Sequence, residues 1–424
     1  MNEIYVEKFG GASVNSAQAI KNVSSILLSE KKKRVVILSA MGKTTNNLET
    51  ILNYFYKNSE IDYNTIEISK KYHKSIIKDI FLTENIFLEN FIDKTYNKII
   101  ENLNSSIGKP YDMVYDNIVS FGELIGTTII SKYFDSINLK HKLVYANEII
   151  RTDNSFRRAK IDWQETKENI INNIKPLFID TDLILTQGFI GGTQKKEKTT
   201  LGREGSDFSA AIFAYCLDAK NLIIWKDVSG LLNADPKYFE NTEKFEEVPY
   251  SEAIELAYYG ASIIHPKTIK PLENKSIPLY IKSFLSPKEP GTKIDCCSYT
   301  KPLMPSYIFK DNQTLLSIFP KDFSFIVEEN IANMFALFAR YGIKINLMQN
   351  SAISYSVCFD TIPSDLLKKL INDLSSIYSI KYNNNLRLIT IRRYHEEAIN
   401  NLIKDKAIII EQRSRLTAQF LVKL

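Results

Sequence analysis

Cysteine is scarce: the 424-residue chain has four, of which Cys216 and Cys358 sit in apolar runs and Cys296 and Cys297 are adjacent. That excludes a disulfide framework and any thiolate metal-ligand spacing, and it fits a reducing compartment. His265, next to Pro266, has no Cys, His or acidic partner at ligand spacing and reads as structural. No run approaches the ~18 apolar residues of a membrane span. The N-terminus enters a strand pattern within a few residues, which leaves no room for a signal peptide's apolar core. The cytoplasm is therefore the expected location. Neither charge sign dominates: 54 basic against 49 acidic residues give a net +5. The lysine runs at 31–33 and 195–198 are short or interrupted and read as solvated faces. Nothing here argues for nucleic acid or membrane as a partner.

What remains is an ordinary soluble composition, 44% hydrophobic and 24% charged, in a chain long enough for two or three domains. Its first informative stretch is Ile4–Ser13, an apolar, strand-like run ending Lys8-Phe9-Gly10-Gly11-Ala12-Ser13. Val14, Ala17, Ile20, Val23, Ile26 and Leu27 follow at helical spacing. Glycines at a strand-to-helix turn let backbone N–H groups approach an anion, and Lys8 adds a mobile full charge. Arg34–Leu38 reads as a strand buried on both faces, hence part of a parallel sheet. Gly42-Lys43-Thr44 matches the end of a P-loop, but the motif needs glycine five residues before Gly42, where Ile37 stands. The P-loop is rejected. A turn with Ser39, Thr44 and Thr45 is left at the carboxyl end of a buried strand, the edge where open α/β sheets bind ligands.

Residues from about 48 to 107 are helical in pattern, with Leu88, Ile92, Tyr96, Ile99 and Leu103 on one face, and read as a packing insertion. Asn117–Leu124 reads as a strand and a Ser-Phe-Gly turn, with Glu123 capping a new helix. Leu183–Gly191 is a strand ending in spaced glycines. Thr199–Asp207 then packs three hydroxyls, two glycines, Arg203 and Asp207 in front of an apolar helix. Arg203 can pair bidentately with a carboxylate, and Asp207 can cap, hold a cation or orient a metal-bound phosphate. Leu222–Gly230 is another buried strand, its Trp225 read as core. Tyr259–Thr268, which includes Ser262 and Ile263, ends an amphipathic helix and carries Lys267.

Composition changes near 286–310, with Pro287, Pro290, Gly291, Pro302 and Pro305, as at a domain boundary. Beyond it the pattern is βαββαβ, strands Thr314–Phe319, Lys344–Asn350, Tyr355–Phe359 and Ser379–Asn383 alternating with helices. A second pass (strand Leu386–Arg392, helix Glu396–Lys404, strands Ala407–Glu411 and Thr417–Val422) stops before its second helix.

Six segments resemble the aspartokinases of the amino-acid kinase family, in that family's order and spacing: Lys8–Ser13, Ser39-Ala40 with Thr45-Asn46, Ser120–Glu123, Thr200–Asp207, Trp225–Gly230 and His265–Thr268. The tail resembles paired ACT regulatory modules. The resemblance implies an α/β fold: an amino-acid-kinase-like α/β/α sandwich with a mainly parallel central sheet, followed by ferredoxin-like ACT modules. It implies a catalytic domain over 1–290 with the helical insertion, a linker and strand over 291–310, a first ACT domain over 311–384 and a shortened second over 385–424. Ser306–Phe309 would supply the strand that completes the second module.

The implied reaction is transfer of the ATP γ-phosphoryl group to the side-chain carboxylate of L-aspartate, first step toward lysine, threonine and methionine. A carboxylate nucleophile needs no general base, so catalysis reduces to positioning and charge neutralisation. Lys8 and Asp207 are the implied catalytic pair. Ser39, Thr45, Glu123, Arg203 and Ser206 would hold aspartate, Arg203 on the α-carboxylate and Glu123 on the α-ammonium. Lys8, Gly10, Gly11, Ser13, Lys226, Asp227, Lys237 and Lys267 fall where the family binds nucleotide. Mg2+ would arrive mainly on the nucleotide phosphates, with no metal ligand set of the protein's own. Ala12, Glu204, Lys226, Leu232 and Lys237 depart from the commoner family pattern.

The ACT modules imply a homodimer or homotetramer and feedback by lysine or threonine, with Asn346–Ile353 where the effector-binding strand pair often lies. No homoserine dehydrogenase-like segment follows, which implies a monofunctional kinase. A glutamate or acetylglutamate kinase and a catalytically idle amino-acid sensor stand as alternatives. Arg203, Glu123 and the ACT tail argue against the first, intact Lys8 and Asp207 against the second.

Overall fold

The computed structural model describes residues 3–81, 83–261, 264–296, 304–322 and 324–424. Ser262, Ile263, Cys297 and Pro302 lie outside them. The chain divides into two compact units. The first comprises Met1–Leu231, Lys244–Ile254 and Ile263–Ser298, the second Leu232–Glu243, Glu255–Ser262 and Tyr299–Leu424.

In chain order the elements of the first part are β1 (Ile4–Phe9), α1 (Ala17–Leu28), β2 (Lys33–Leu38), α2 (Thr44–Asn58), α3 (Tyr63–Ile80), α4 (Ile86–Asn104), α5 (Tyr111–Ser136), β3 (Lys142–Val144), α6 (Ala146–Ile149) and α7 (Trp163–Asn173). There follow β4 (Leu183–Gln187), β5 (Ile190–Gly192), β6 (Lys198–Thr200), α8 (Gly205–Leu217), β7 (Asn221–Lys226), β8 (Glu247–Pro249), α9 (Tyr250–Tyr259), α10 (Pro266–Asn274), β9 (Leu279–Ser283) and β10 (Thr292–Asp295). Eight strands form one sheet in the order β3-β4-β2-β1-β7-β9-β10-β8, parallel throughout except for the antiparallel β9–β10 pair. β10 falls within the stretch expected to be linker and pairs in this sheet.

The central strands are buried on both faces, which is why they are continuous apolar runs. One face, with Phe9, Val36, Leu38, Leu185 and Trp225, packs against α1 to α5 in a single hydrophobic cluster. The other face meets α8, which touches β1, β2 and β7. Trp225 is core, stacked on Phe9 with centroids 5.8 Å apart, and its Nε1 donates to the buried Glu7 carboxylate at 2.9 Å. The expected insertion is α2, α3 and α4, with Leu88, Ile92, Tyr96, Ile99 and Leu103 all buried.

The strand and turn expected at Asn117–Leu124 are absent. That stretch is the middle of the 26-residue helix α5, and Glu123 caps nothing. Its glycine is there for packing. A Cβ on Gly122 would stand 3.1 Å from Ala40 Cβ, so the missing side chain lets α5 lie against the turn after β2.

The second unit holds β11 (Ser306–Pro320), α11 (Glu328–Arg340), β12 (Ile345–Ser351), β13 (Ser354–Asp360), α12 (Ser364–Ser375), β14 (Tyr378–Arg392), α13 (Glu396–Ile403), β15 (Ile408–Arg413) and β16 (Thr417–Lys423). They form one antiparallel sheet in the order β12-β13-β11-β14-β16-β15. The two βαββαβ passes share it: Ser379–Asn383 and Leu386–Arg392, read as separate strands, are one strand. The Ser306–Lys310 end of β11 pairs with Leu388–Arg392, and its Leu315–Pro320 end pairs with Tyr378–Asn383. The register shifts between Lys310 and Leu315 mark where one module passes into the next. Leu315, Leu347 and Cys358 of the first half cluster with Leu386, Leu388, Ile410 and Leu421 of the second.

Candidate active site

Lys8, Ser39 and Lys226 stand at or just past the carboxyl ends of β1, β2 and β7, three neighbours in the sheet. With the β6–α8 turn and the face of α5 they border a cleft of about 910 Å3, lined among others by Lys8, Thr45, Glu123, Arg203, Ser206 and Asp207. Five segments far apart in sequence therefore meet in one place.

After β1 the chain enters a short 3₁₀ turn, Gly11–Val14. A Cβ on Gly11 would approach Gly42 O to 2.9 Å and Ala40 O to 3.0 Å, so glycine is what lets this loop lie on the turn after β2. The Ser13 hydroxyl is buried there and has no hydrogen-bond partner. Asp207 lies in the first turn of α8, where a helix N-terminus favours a carboxylate. Lys8 Nζ is 2.6 Å from its Oδ1 and Lys226 Nζ 3.3 Å from its Oδ2. Burial works against the ionised Asp207, but the two ammonium groups outweigh it and hold the carboxyl below the usual carboxylate range.

Glu123 is the opposite case. It projects from mid-α5, buried, with Oε2 lacking a hydrogen-bond partner. Burial pushes its carboxyl up to about 8, against a weaker pull from the Ala40 N–H. A buried carboxyl with an open acceptor is a receptor for a cation.

Arg203 is exposed on the turn before α8, and Glu204 holds the N-cap in the left-handed region, φ +53. A glycine would be at ease at φ +53, and Glu204 carries a Cβ there. Ser39, Thr45 and Ser206 line the cleft half-buried. Lys267 is half-buried and donates to Leu201 O at 2.7 Å, and burial lowers its ammonium to about 8. His265 caps α10 by accepting from the Lys267 N–H. Gly10 and Ser13 sit in the loop beside the cleft, and Asp227 is exposed just past β7. Lys237 falls in the second unit, exposed on a turn where its N–H donates to Asp235.

The sequence reading missed Glu49, Asp112, Tyr115, Arg157 and Arg158, which also line the cleft. The one local signal for these was the pair Arg157-Arg158 between two polar stretches. Among the described residues no group of three or more His, Cys, Asp or Glu side chains could hold a metal. No described helix is long and apolar enough to cross a membrane.

The amino acid kinase family matches residues 3–283. Lysine-sensitive aspartokinase 3 of Escherichia coli (strain K12) is 28% identical over 405 residues, 92% of this chain and 87% of that protein. Aspartokinase 1, chloroplastic, of Arabidopsis thaliana is 31% identical over 420 residues, 95% of this chain and 69% of that protein. Among solved structures, E. coli aspartokinase III in complex with aspartate and ADP (R-state) superposes with TM-score 0.85 at 26% identity, covering 99% of this chain and 96% of that one. The same enzyme with lysine and aspartate (T-state) gives TM-score 0.81, covering 100% and 96%.

Proposed function

We propose how this chain works from the premise that it belongs to the amino acid kinase family and, within it, to the aspartokinases. It is an aspartate kinase: it phosphorylates the side-chain carboxylate of L-aspartate at the expense of ATP. The observation that carries the assignment of roles is the meeting of Lys8, Lys226 and Asp207 with Glu123 and Arg203 in one cleft.

Lys8 and Lys226 face the transferring phosphoryl group and neutralise the charge that spreads over its oxygens. The Gly10 and Gly11 amides and the unpartnered Ser13 hydroxyl form a small cradle of donors for the phosphates. Asp227 and Lys267 complete the nucleotide side. Asp207, the carboxylate set among these lysines, would anchor a magnesium ion carried in on the nucleotide, whose chemistry there is to neutralise phosphate oxygens.

On the other side Arg203 clamps the aspartate α-carboxylate, Glu123 receives the α-ammonium, and Ser39, Thr45 and Ser206 fill the polar wall. The free side-chain carboxylate oxygen then bonds to the γ-phosphorus as the bond to the ADP oxygen breaks. The products are 4-phospho-L-aspartate and ADP, and no proton moves. In the low-dielectric cleft the fixed cations need no rearrangement as charge shifts, which is where the rate advantage arises.

We assign the catalytic domain to residues 1–295, with β10 as its last strand, and the regulatory modules to 311–384 and 385–424. The reading places the enzyme in the cytoplasm, as a homodimer or homotetramer joined through its ACT sheets. Lysine or threonine is the effector class for these modules, with the β12–β13 hairpin as its seat. The E. coli enzyme, solved with lysine in its T-state, supports that class. Calorimetry with each amino acid tests it, and no heat from either removes it. For the activity, the full chain is incubated with Mg-ATP and single amino acids, and acyl phosphate is trapped with hydroxylamine. Hydroxamate from aspartate alone is the expected result. Hydroxamate from glutamate or acetylglutamate instead, or from none, overturns the assignment.

A further inference from the structure

Asp116 lies on α5 seven residues before Glu123, two helical turns away and on the same face. It is fully buried, yet among the described residues it pairs with no cation. Instead its carboxylate gathers two other cleft walls. Thr200 donates its N–H to Oδ2 and its hydroxyl to Oδ1, both at 2.7 Å. The Arg157 N–H reaches both oxygens, at 2.9 and 3.1 Å. A buried carboxylate with its acceptor sites filled by backbone and hydroxyl donors is a fixed joint.

Both anchored segments lead straight into the cleft. Thr200 is the last residue of β6, and Leu201-Gly202-Arg203 follows. Arg157 sits at φ +64, a conformation a side-chain-bearing residue keeps only where its surroundings over-determine it. Its guanidinium lies 4.5 Å from the Tyr115 ring, and Nη1 is 3.4 Å from Asp112. The two segments also touch: a Cβ on Gly202 would stand 3.0 Å from Arg157 O, and the Ala159 N–H donates to Thr200 O at 3.1 Å.

We infer that Asp116 is a positioning residue for the aspartate subsite: it locks the Thr200–Arg203 and Arg157–Arg158 walls to the helix that carries Glu123. It thereby sets the span between the group that takes the α-ammonium and the group that takes the α-carboxylate. This rests on the aspartate-binding roles of Glu123 and Arg203 proposed above. In D116N the amide has one acceptor oxygen where the carboxylate has two. With that oxygen in the place of Oδ2 both N–H donors stay matched, but the NH2 then faces the Thr200 hydroxyl, so two donors meet there and a buried hydrogen is left unmatched. The walls then part from α5, while Lys8 and Lys226 on β1 and β7 keep their own anchorage in the sheet.

The test is steady-state kinetics on the full chain, varying aspartate at saturating Mg-ATP and the reverse. D116N is expected to raise the aspartate KM by about tenfold or more, the scale of one lost hydrogen bond to a charged group, with the ATP KM within about twofold. T200V keeps the β-branched strand residue and deletes one of the bonds. It shows the same selective rise, about three- to fivefold, and carries the test should D116N not accumulate folded. An unchanged aspartate KM in T200V, or both KM values rising together, overturns the inference. E123Q and R203A run alongside separate the two readings. If they raise the aspartate KM and D116N and T200V do not, the Asp116 role alone falls. If they too leave it unchanged, the proposed subsite falls and the Asp116 role with it.

Discussion

Replacing Glu123 by glutamine should make the empty enzyme more stable while disabling it. The Glu123 carboxyl is buried, its Oε2 has no hydrogen-bond partner, and burial moves it from the ordinary 4.5 to about 8. In the unfolded chain it ionises above 4.5, and in the folded chain it stays protonated up to about 8. The folded state therefore binds the extra proton in that window, and stability falls as pH rises through it. At about 1.4 kcal/mol per pH unit, the difference accumulated by pH 7 is about 3 kcal/mol. E123Q is close to isosteric and does not titrate, so it removes this slope. The assay is the urea midpoint of wild type and E123Q at pH 5, 6, 7 and 8. Wild type should lose stability relative to E123Q across the series. Saturating aspartate should close the gap in wild type alone, because its ammonium pairs with the ionised carboxylate. Parallel pH profiles for the two proteins would refute the argument.

K8A should keep the fold and aspartate binding but lose turnover by about two to three orders of magnitude, the scale of a deleted charge-stabilising group. Aspartate binding by calorimetry beside hydroxamate formation checks both halves. Lys267, lowered to about 8 by burial, should lose its charge as pH passes that value. Mg-ATP affinity measured by equilibrium binding should then weaken between pH 7 and 9, and K267R, charged throughout, should flatten that decline. E204G removes a Cβ from the left-handed region and a buried carboxyl oxygen without a partner. The strain relieved exceeds glycine's entropic cost, and the urea midpoint should report a gain on the order of 1 kcal/mol.

Much of the fold was legible because the central strands are buried on both faces and so appear as unbroken apolar runs. Val35–Leu38, Leu183–Leu185 and Leu222–Trp225 could hardly be anything else. The P-loop rejection rested on the same logic: Ile37 is strand interior, where a phosphate-loop glycine cannot be. Helix α5 failed for the complementary reason. It is buried nearly all round its middle, so the 3.6-residue period vanishes, and Ser120 and Gly122 then look like a turn. Gly122 instead answers to Ala40, eighty residues away, which local spacing cannot reveal. The join of the two C-terminal modules was half legible. The strand pieces were visible, but that two of them are one strand depends on β11 pairing along its whole length. Asp116 had no signal at all, since its role exists only where three separate segments meet.

The two buried carboxylates of the cleft show how one site can be ready for ATP yet gated by its amino acid. Asp207 is held ionised before any ligand arrives, because Lys8 and Lys226 stand within 3.3 Å of it. The phosphate side is thus charged and assembled from the start, and its cost is met within the protein by its own ion pairs. Glu123 has no such partner. At neutral pH it is protonated when alone and ionises only when an ammonium is delivered beside it. A dicarboxylate lacking the α-amino group cannot supply that ammonium, so it should neither shed the Glu123 proton nor bind well, although Arg203 remains to take a carboxylate. Binding of aspartate near pH 7 should release close to one proton per site, seen as a dependence of calorimetric heat on the buffer's ionisation enthalpy. Succinate should release none. No release with aspartate would mean that Glu123 does not meet the ammonium, and the polarity assigned to aspartate in the cleft would have to be reversed.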